Sequence, residues 1–345
     1  MCLLLSFFIN FTSSQSQLRL KIIKMSISNF ILVYLLTFNA VSQQLNYKSA
    51  TNVSTIPYYE KNEYRTFHVT KTEERLEDEE KIDETPLLFK YDITFKIKNA
   101  TDSNYTMEMT YKNFKINPEA DNYIEAMRKI TENLTILYYT DQFGQFDTII
   151  NSKELTNKMS IAFDAILKQE IAKVDSKDSL LIAIIEEEYK STKELYLKPE
   201  NIEILLLEDI GVIHALYGDE LVLNKPKENK IQYILFNKKS INGTSSSLLT
   251  NINKAKNECK IEISEKPNTH ELEVYMKDLM DLFFSEEVIE NEKASNFKYN
   301  SSTKTIYFMD LTNGWIDQIS LLTKIKTSFL KETVKISIKK EYSVF

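Results

Sequence analysis

Glycine and proline are scarce in this chain, five and six of 345 residues. Phosphate cradles of the dinucleotide or P-loop kind need several glycines close together, so those nucleotide sites are excluded. Histidine occurs three times, at His68, His214 and His270, and cysteine twice, at Cys2 and Cys259. None of these stands at metal-ligand spacing from another, so neither a metal site nor a cofactor is expected. There is no Gly-X-Ser-X-Gly elbow. Ser245–Ser247 read as a turn and strand edge. Glu186, Glu187 and Glu188 are consecutive on a helix, point apart, and read as a solvated face. Carboxylates from distant segments, as in glycosidases, stay open as an alternative. No catalytic residue is assigned.

The leader is informative. Lys21 and Lys24 precede Met25, an apolar run spans Phe30–Phe38, and Ala40-Val41-Ser42 follows. Positive, apolar and small-residue regions in that order are the secretory signature. The run is short for a membrane span, and no later run is long enough for one. Met25 stands where translation could begin, with cleavage after Ser42. Removing 42 of the 345 residues leaves 303. Arg19, Lys21 and Lys24 go with the leader and no acid does, so the net charge falls from −7 to −10. Such an acidic chain is unsuited to nucleic acid or anionic lipid. The expected location is secreted or periplasmic. Cys2 goes too, which leaves Cys259 without an intramolecular partner. It shares a strand face with Ile261 and Ile263 and reads as a small buried hydrophobe.

The body of the chain reads as α+β, with one pattern present twice. Residues 43–60 are polar and aperiodic, a loose N-terminal segment. A first β-rich unit covers 61–151. Tyr64–Lys71 forms a strand, and the acidic run Glu73–Glu84 a solvated loop. Phe89, Tyr91, Ile93, Phe95 and Ile97 alternate with polar residues, and Tyr105, Met107, Met109 and Tyr111 do so after a turn. Period two with one wet face means an antiparallel, half-exposed sheet. Asn117-Pro118 then opens a helix with Ile124, Met127 and Ile130 on one stripe. Strands Leu134–Thr140 and Phe146–Ile150 flank a turn containing Gly144. A helical insert fills 152–218, as three helices near 152–172, 177–191 and 199–217. The second β-rich unit, 219–345, has a turn at Ser240–Gly243 and strands near Ser245–Ile252 and Cys259–Ser264. A helix capped by Thr269 carries Leu272, Tyr275 and Met276. Strands near 305–311 and 315–326 flank a turn containing Gly314, and a last strand covers Thr333–Tyr342. Whether the two units make one sheet or two domains is open, as is duplication against coincidence of common turns.

Three stretches carry a resemblance: Asn133–Ile150; Ile213-His214-Ala215-Leu216-Tyr217-Gly218; and Tyr307–Lys340 with its Gly314-Trp315 turn. They are similar to a group of uncharacterised secreted or periplasmic proteins of Bacteroidota type. Members often have proline after the Gly-Trp pair, where Ile316 stands here. The resemblance implies export and an α+β fold, and no activity.

Two functional readings follow. The first is an exported, non-catalytic binding or interaction protein for an apolar ligand or an envelope partner. Tyr91, Phe95, Met107 and Met109 would line the concave side of a curved sheet. Helices that plug this concavity would make the same residues core. The alternative is an envelope hydrolase with a site not recognisable from sequence. His68 is expected on an exposed strand face, His214 in an apolar helix with its polar atoms satisfied, and His270 in a helix's first turn. The mature protein is expected to begin at or near Gln43. N-terminal sequencing of exported material checks this, and residues 1–24 on a soluble mature form would overturn it.

Overall fold

The computed structural model describes residues 51–77, 80–81, 87–116, 131–132, 134–174, 179–235, 239–283, 298–327 and 330–341. The leader and the helix expected after Asn117-Pro118 lie outside them. Fourteen strands and four helices are present among the described residues. The strands are β1 (Asn52–Ser54), β2 (Tyr64–Glu77), β3 (Glu80–Lys81), β4 (Leu87–Ala100), β5 (Asn104–Ile116), β6 (Thr135–Asp141) and β7 (Phe146–Ile149). Helices α1 (Ser152–Ala172), α2 (Ser179–Tyr196) and α3 (Pro199–His214) follow. Then come β8 (Glu220–Val222), β9 (Lys227–Ile234), β10 (Ser240–Asn253), β11 (Glu258–Pro267), α4 (Thr269–Phe283), β12 (Tyr299–Asp310), β13 (Ile316–Thr327) and β14 (Leu330–Lys340).

One antiparallel sheet carries the fold, in the order β7-β6-β5-β4-β2-β14-β13-β12-β11-β10-β9, with β3 on β2. A second sheet is the β1–β8 pair. The pairing of β2 with β14 joins the two β-rich segments into one continuous surface. Within it, β4-β5-β6-β7 and β10-β11-β12-β13 are both sequential antiparallel meanders.

Several features depart from the reading of the sequence. The acidic run is not simply a loop, because β2 continues through Glu77 and β3 takes up Glu80–Lys81. Strand β14 supplies backbone partners along that stretch, from Val334 opposite Glu73 to Leu330 opposite Glu77. Glu73 is buried with Lys71, 3.2 Å away on the same strand face. Ser240–Gly243 is not a turn but the start of β10. Gly243 is needed there because the Tyr233 ring on β9 occupies the space a Cβ would take, the close approach that a strand glycine permits. The cap of α4 is also one residue earlier: Asn268 Oδ1 accepts the Glu271 N–H at 3.1 Å, the bond expected of an N-cap side chain.

The sheet is curled. A flat sheet would set β6 and β13 about 24 Å apart, five steps of about 4.8 Å. Yet the β6–β7 turn at Gly144 and the β12–β13 turn at Gly314 both abut Ile56-Pro57. Thr55 is tied by its backbone and hydroxyl to Asp219, Gly218 donates to Thr55, and Tyr58 donates to Asn313. From Thr51 onward, then, the segment read as loose is a strap across one end of the sheet. Its polarity misled because Val53, Thr55 and Tyr59 are buried. Tyr59 packs against Trp315 with ring centroids 4.4 Å apart, and Arg65 covers the indole at 4.9 Å.

Gly144 and Gly314 both have positive φ, +85° and +72°. Gly314→Ala would add left-handed strain and a clash with the Ile56 carbonyl, and should cost more than about 2 kcal/mol. Trp315→Ala, at a fully buried ring, should cost about 3–5 kcal/mol. Urea denaturation checks both, and a neutral Gly314→Ala would mean that the strap is not seated on that turn.

Candidate functional site

Helix α3 is the element around which the site forms. Its sequence is apolar on most sides, Ile202 through Ile213, the signature of an enclosed helix rather than a surface one. It reaches both parts of the sheet. Asp209 accepts hydrogen bonds from the Tyr91 and Tyr111 hydroxyls, each at 3.0 Å. The Val212 carbonyl accepts from Tyr307 at 2.8 Å. His214 Nδ1 lies 2.7 Å from the Gly144 carbonyl and Nε2 lies 2.9 Å from the Tyr138 hydroxyl. A carbonyl can only accept, so Nδ1 carries a proton, and in the neutral ring that burial favours Nε2 accepts from Tyr138. Burial pushes the imidazole down to about 4, although the Gly144 bond acts the other way.

Tyr91, Phe95, Met107 and Met109 are all buried on the inward face of β4 and β5. Tyr91 is engaged by α3 through Asp209, and Phe95 has its ring edge-on to His214. A cavity of about 230 Å³ opens between the C-terminal half of α3 and strands β9–β11. None of the four residues lines it.

The cavity has a sequence cause. Inward positions of β10 that would ordinarily carry large apolar residues carry Ser245 and Ser247, both buried and both on the lining. Gly211 is among the helix residues that face the space. Leu207, Ile231 and Ile263 supply apolar wall, and Phe146 and Tyr217 aromatic wall. The rim holds Lys230, Asn229 and the Asp219–Lys227 ion pair at 2.5 Å.

Glu265 is the unexpected member. It points inward from β11 and is 7% exposed. It stands directly opposite Ser245 on β10 and Thr303 on β12. Burial pushes its carboxyl well above the usual range, against a hydrogen bond from Ser245 that favours ionisation. Burial is also the chief reason the nearby Tyr233 and Tyr307 phenols are raised, with Glu265 adding to it. Reading Ser245–Ser247 as a turn edge, and ending the β11 strand at Ser264, hid this group. Continued alternation from Cys259 through Ile261 and Ile263 would have placed Glu265 on the buried face.

The other candidates stand apart from the cavity. His68 is exposed and pairs with Asp92 on the outer face of the sheet. His270 is exposed in α4, as are Glu186 and Glu187 in α2. Cys259 is buried, and its thiol is pushed up to about 12, mainly by burial, so it is not a nucleophile near neutrality. No helix among the described residues is long and apolar enough to cross a membrane.

The buried imidazole sets a pH dependence. Its folded value near 4 lies below its ordinary 6.5, so the unfolded chain binds the extra proton between these values. Its contribution is therefore full above about pH 6.5 and is lost as the pH falls towards 4, at most on the order of 3 kcal/mol. Chemical denaturation from pH 4 to 7 should show that slope, and His214→Gln should flatten it. An unchanged slope would mean that His214 is not buried neutral.

No protein-family model matches the chain, and no curated protein does. Among solved structures it is similar to a lipovitellin chain studied for lipid–protein interactions, at 8% identity and a TM-score of 0.39. That likeness covers 82% of this chain and 25% of lipovitellin, so the chain spans about a quarter of that protein's length. It is also similar to an outer membrane channel of Pseudomonas putida F1, at 5% identity and a TM-score of 0.13, over 83% of this chain and 97% of that one. Both likenesses are too distant to bear on the site.

Proposed function

We propose that this chain is an exported, non-catalytic binding protein that holds a small, partly apolar ligand in the cavity between α3 and β9–β11. The observation that carries the reading is the cavity itself, where apolar and aromatic wall from Leu207, Ile231, Ile263, Phe146 and Tyr217 meets a larger polar share that includes Ser245, Ser247 and Glu265. At about 230 Å³ the space is smaller and more polar than most small-ligand pockets, which restricts it to a short ligand with a polar end. The ordered leader of Lys21, Lys24, the apolar run and Ala40-Val41-Ser42 supports export, as does the resemblance to secreted or periplasmic proteins of Bacteroidota type. Tyr91, Phe95, Met107 and Met109 serve as core that holds α3 in place rather than as ligand contacts. An envelope protein as the partner stands as the alternative occupant of the exported chain.

The cavity does contain His214, two serines and two acids, the residue types a hydrolase would use. Their bonding argues against catalysis. Both ring nitrogens of His214 are occupied, so it cannot take a proton from Ser245 or Ser247. Asp219 is held by Lys227. A hydrolase would need one of these contacts to open. We also infer that the chain arose by duplication of a five-strand unit, β2 with β4–β7 and β9 with β10–β13. The support is the same order of neighbouring strands in each, with turn glycines Gly144 and Gly314 in corresponding places.

The binding reading is tested by NMR titration with three probes of one length: 1-pentanol, pentylammonium and pentanoate. Amide shifts from at least one should centre on Gly211, Ile231, Ser247 and Ile263. Ser247→Leu, which fills part of the cavity, should abolish them while leaving the thermal transition cooperative. No shift with any probe, or shifts that survive Ser247→Leu, would overturn it.

A further inference from the structure

We propose that the cavity takes a small organic cation, a primary ammonium on a short hydrocarbon, with its charge set against Glu265. This rests on the ligand-binding reading above and adds the chemical class.

The carboxyl of Glu265 is buried and faces the cavity. Among the described residues it has no ion-pair partner. The nearest cations on the lining are otherwise placed: Lys227 is held by Asp219, and Lys230 is exposed at the rim. A carboxyl buried without a counter-ion is costly, and an apolar residue would serve a purely structural role better. The neighbours suit an ammonium. Its three N–H donors would find the Glu265 carboxylate and the Ser245 and Ser247 hydroxyls. Tyr217 is an aromatic neighbour on the lining, and Leu207, Ile231 and Ile263 accommodate the hydrocarbon. The net charge of −7 favours approach of cations at long range.

The proton balance is explicit. Without a ligand, burial favours the neutral acid of Glu265. When R–NH₃⁺ enters, the carboxyl O–H bond breaks and its proton leaves to solvent. The carboxylate then accepts an N–H hydrogen bond, and the site takes in one cation and releases one proton. The other titratable groups on the lining are His214 from α3, Tyr217 beyond it, and Asp219, Lys227 and Lys230 at the rim, and Tyr233 and Tyr307 stand near Glu265. The three phenols are raised and the imidazole is depressed by burial, so these four stay neutral at about pH 7.5, within the range between them.

Calorimetry at about pH 7.5 in buffers of differing ionisation enthalpy decides the matter. Pentylammonium should bind about tenfold or more tighter than 1-pentanol, the scale of one charge-assisted hydrogen bond. Its heat should vary with the buffer as proton is released, up to one per site. Glu265→Gln should bring the amine-to-alcohol ratio near one and remove the buffer dependence. That variant should also unfold at a higher temperature. A folded-state acid raised above its unfolded value stabilises only at low pH, and that contribution is lost as the pH rises through the folded value. If the variant does not fold, proton release by the unmodified protein still decides. Equal binding of alcohol or pentanoate, or no proton release, overturns the cation assignment. Alcohol shifts centred on the cavity without ammonium binding would overturn it and leave the cavity reading standing. Silence from all three probes would overturn both.

Discussion

The structure depends on enclosing one helix. α3 is apolar on most sides, and its backbone ends beside the strap and the Gly144 turn. Such a helix is stable in water only if the sheet wraps it, and wrapping forces every polar group it carries to find a partner inside. Asp209, the Val212 carbonyl and His214 each find one on a different strand: β4 and β5, β12, and β6. These bonds fix the rotation of the helix and the radius of the curl together. The strap at Ile56-Pro57 closes the same end by pinning two turns that a flat sheet would hold far apart. Glycine is required at both turns because their carbonyl and ring neighbours leave no space for a side chain.

The two sides of the helix are not equally filled. Towards β4–β6 the inward residues are Tyr91, Phe95 and Tyr138, which reach the helix, and Met107 and Met109, buried on the same face. Towards β9–β11 the inward set includes Ser245, Ser247 and Glu265, opposite Gly211. A seamless core would place leucine or phenylalanine at such positions, since unfilled volume is destabilising. The asymmetry therefore assigns scaffold to one side and the cavity to the other.

Much of the architecture was legible in the sequence. Clean alternation in Phe89–Ile97 and Tyr105–Tyr111 identified paired antiparallel strands, and Pro199 with the apolar spacing after it identified α3. What was not legible depended on contacts distant in sequence. The strap reads as polar coil because its burial comes from turns about 90 and 260 residues away, and no local rule encodes those. The acidic run reads as loop because its strand character is supplied by β14. Gly243 reads as a turn residue because glycine has that meaning most often; here it makes room for Tyr233. The candidate site was missed for a related reason. A search for catalytic spacing looks for reactive residues together, whereas this site is marked by small residues where large ones belong and by one acid on a buried face.

Two buried titratable side chains sit at opposite degrees of completion. His214 is neutral with both ring nitrogens bonded, so its polarity is spent on holding α3 to β6 and to the Gly144 turn. The same burial raises the Glu265 carboxyl, and a carboxyl has more bonding capacity than the hydrogen bond from Ser245 uses. Their effects on stability have opposite signs with pH: His214 penalises the fold as acid is added, and Glu265 does so as acid is removed. A group that only served folding would be bonded as His214 is. Glu265 faces open volume with capacity to spare, and that difference between two equally buried residues separates a structural polar group from one kept for a ligand.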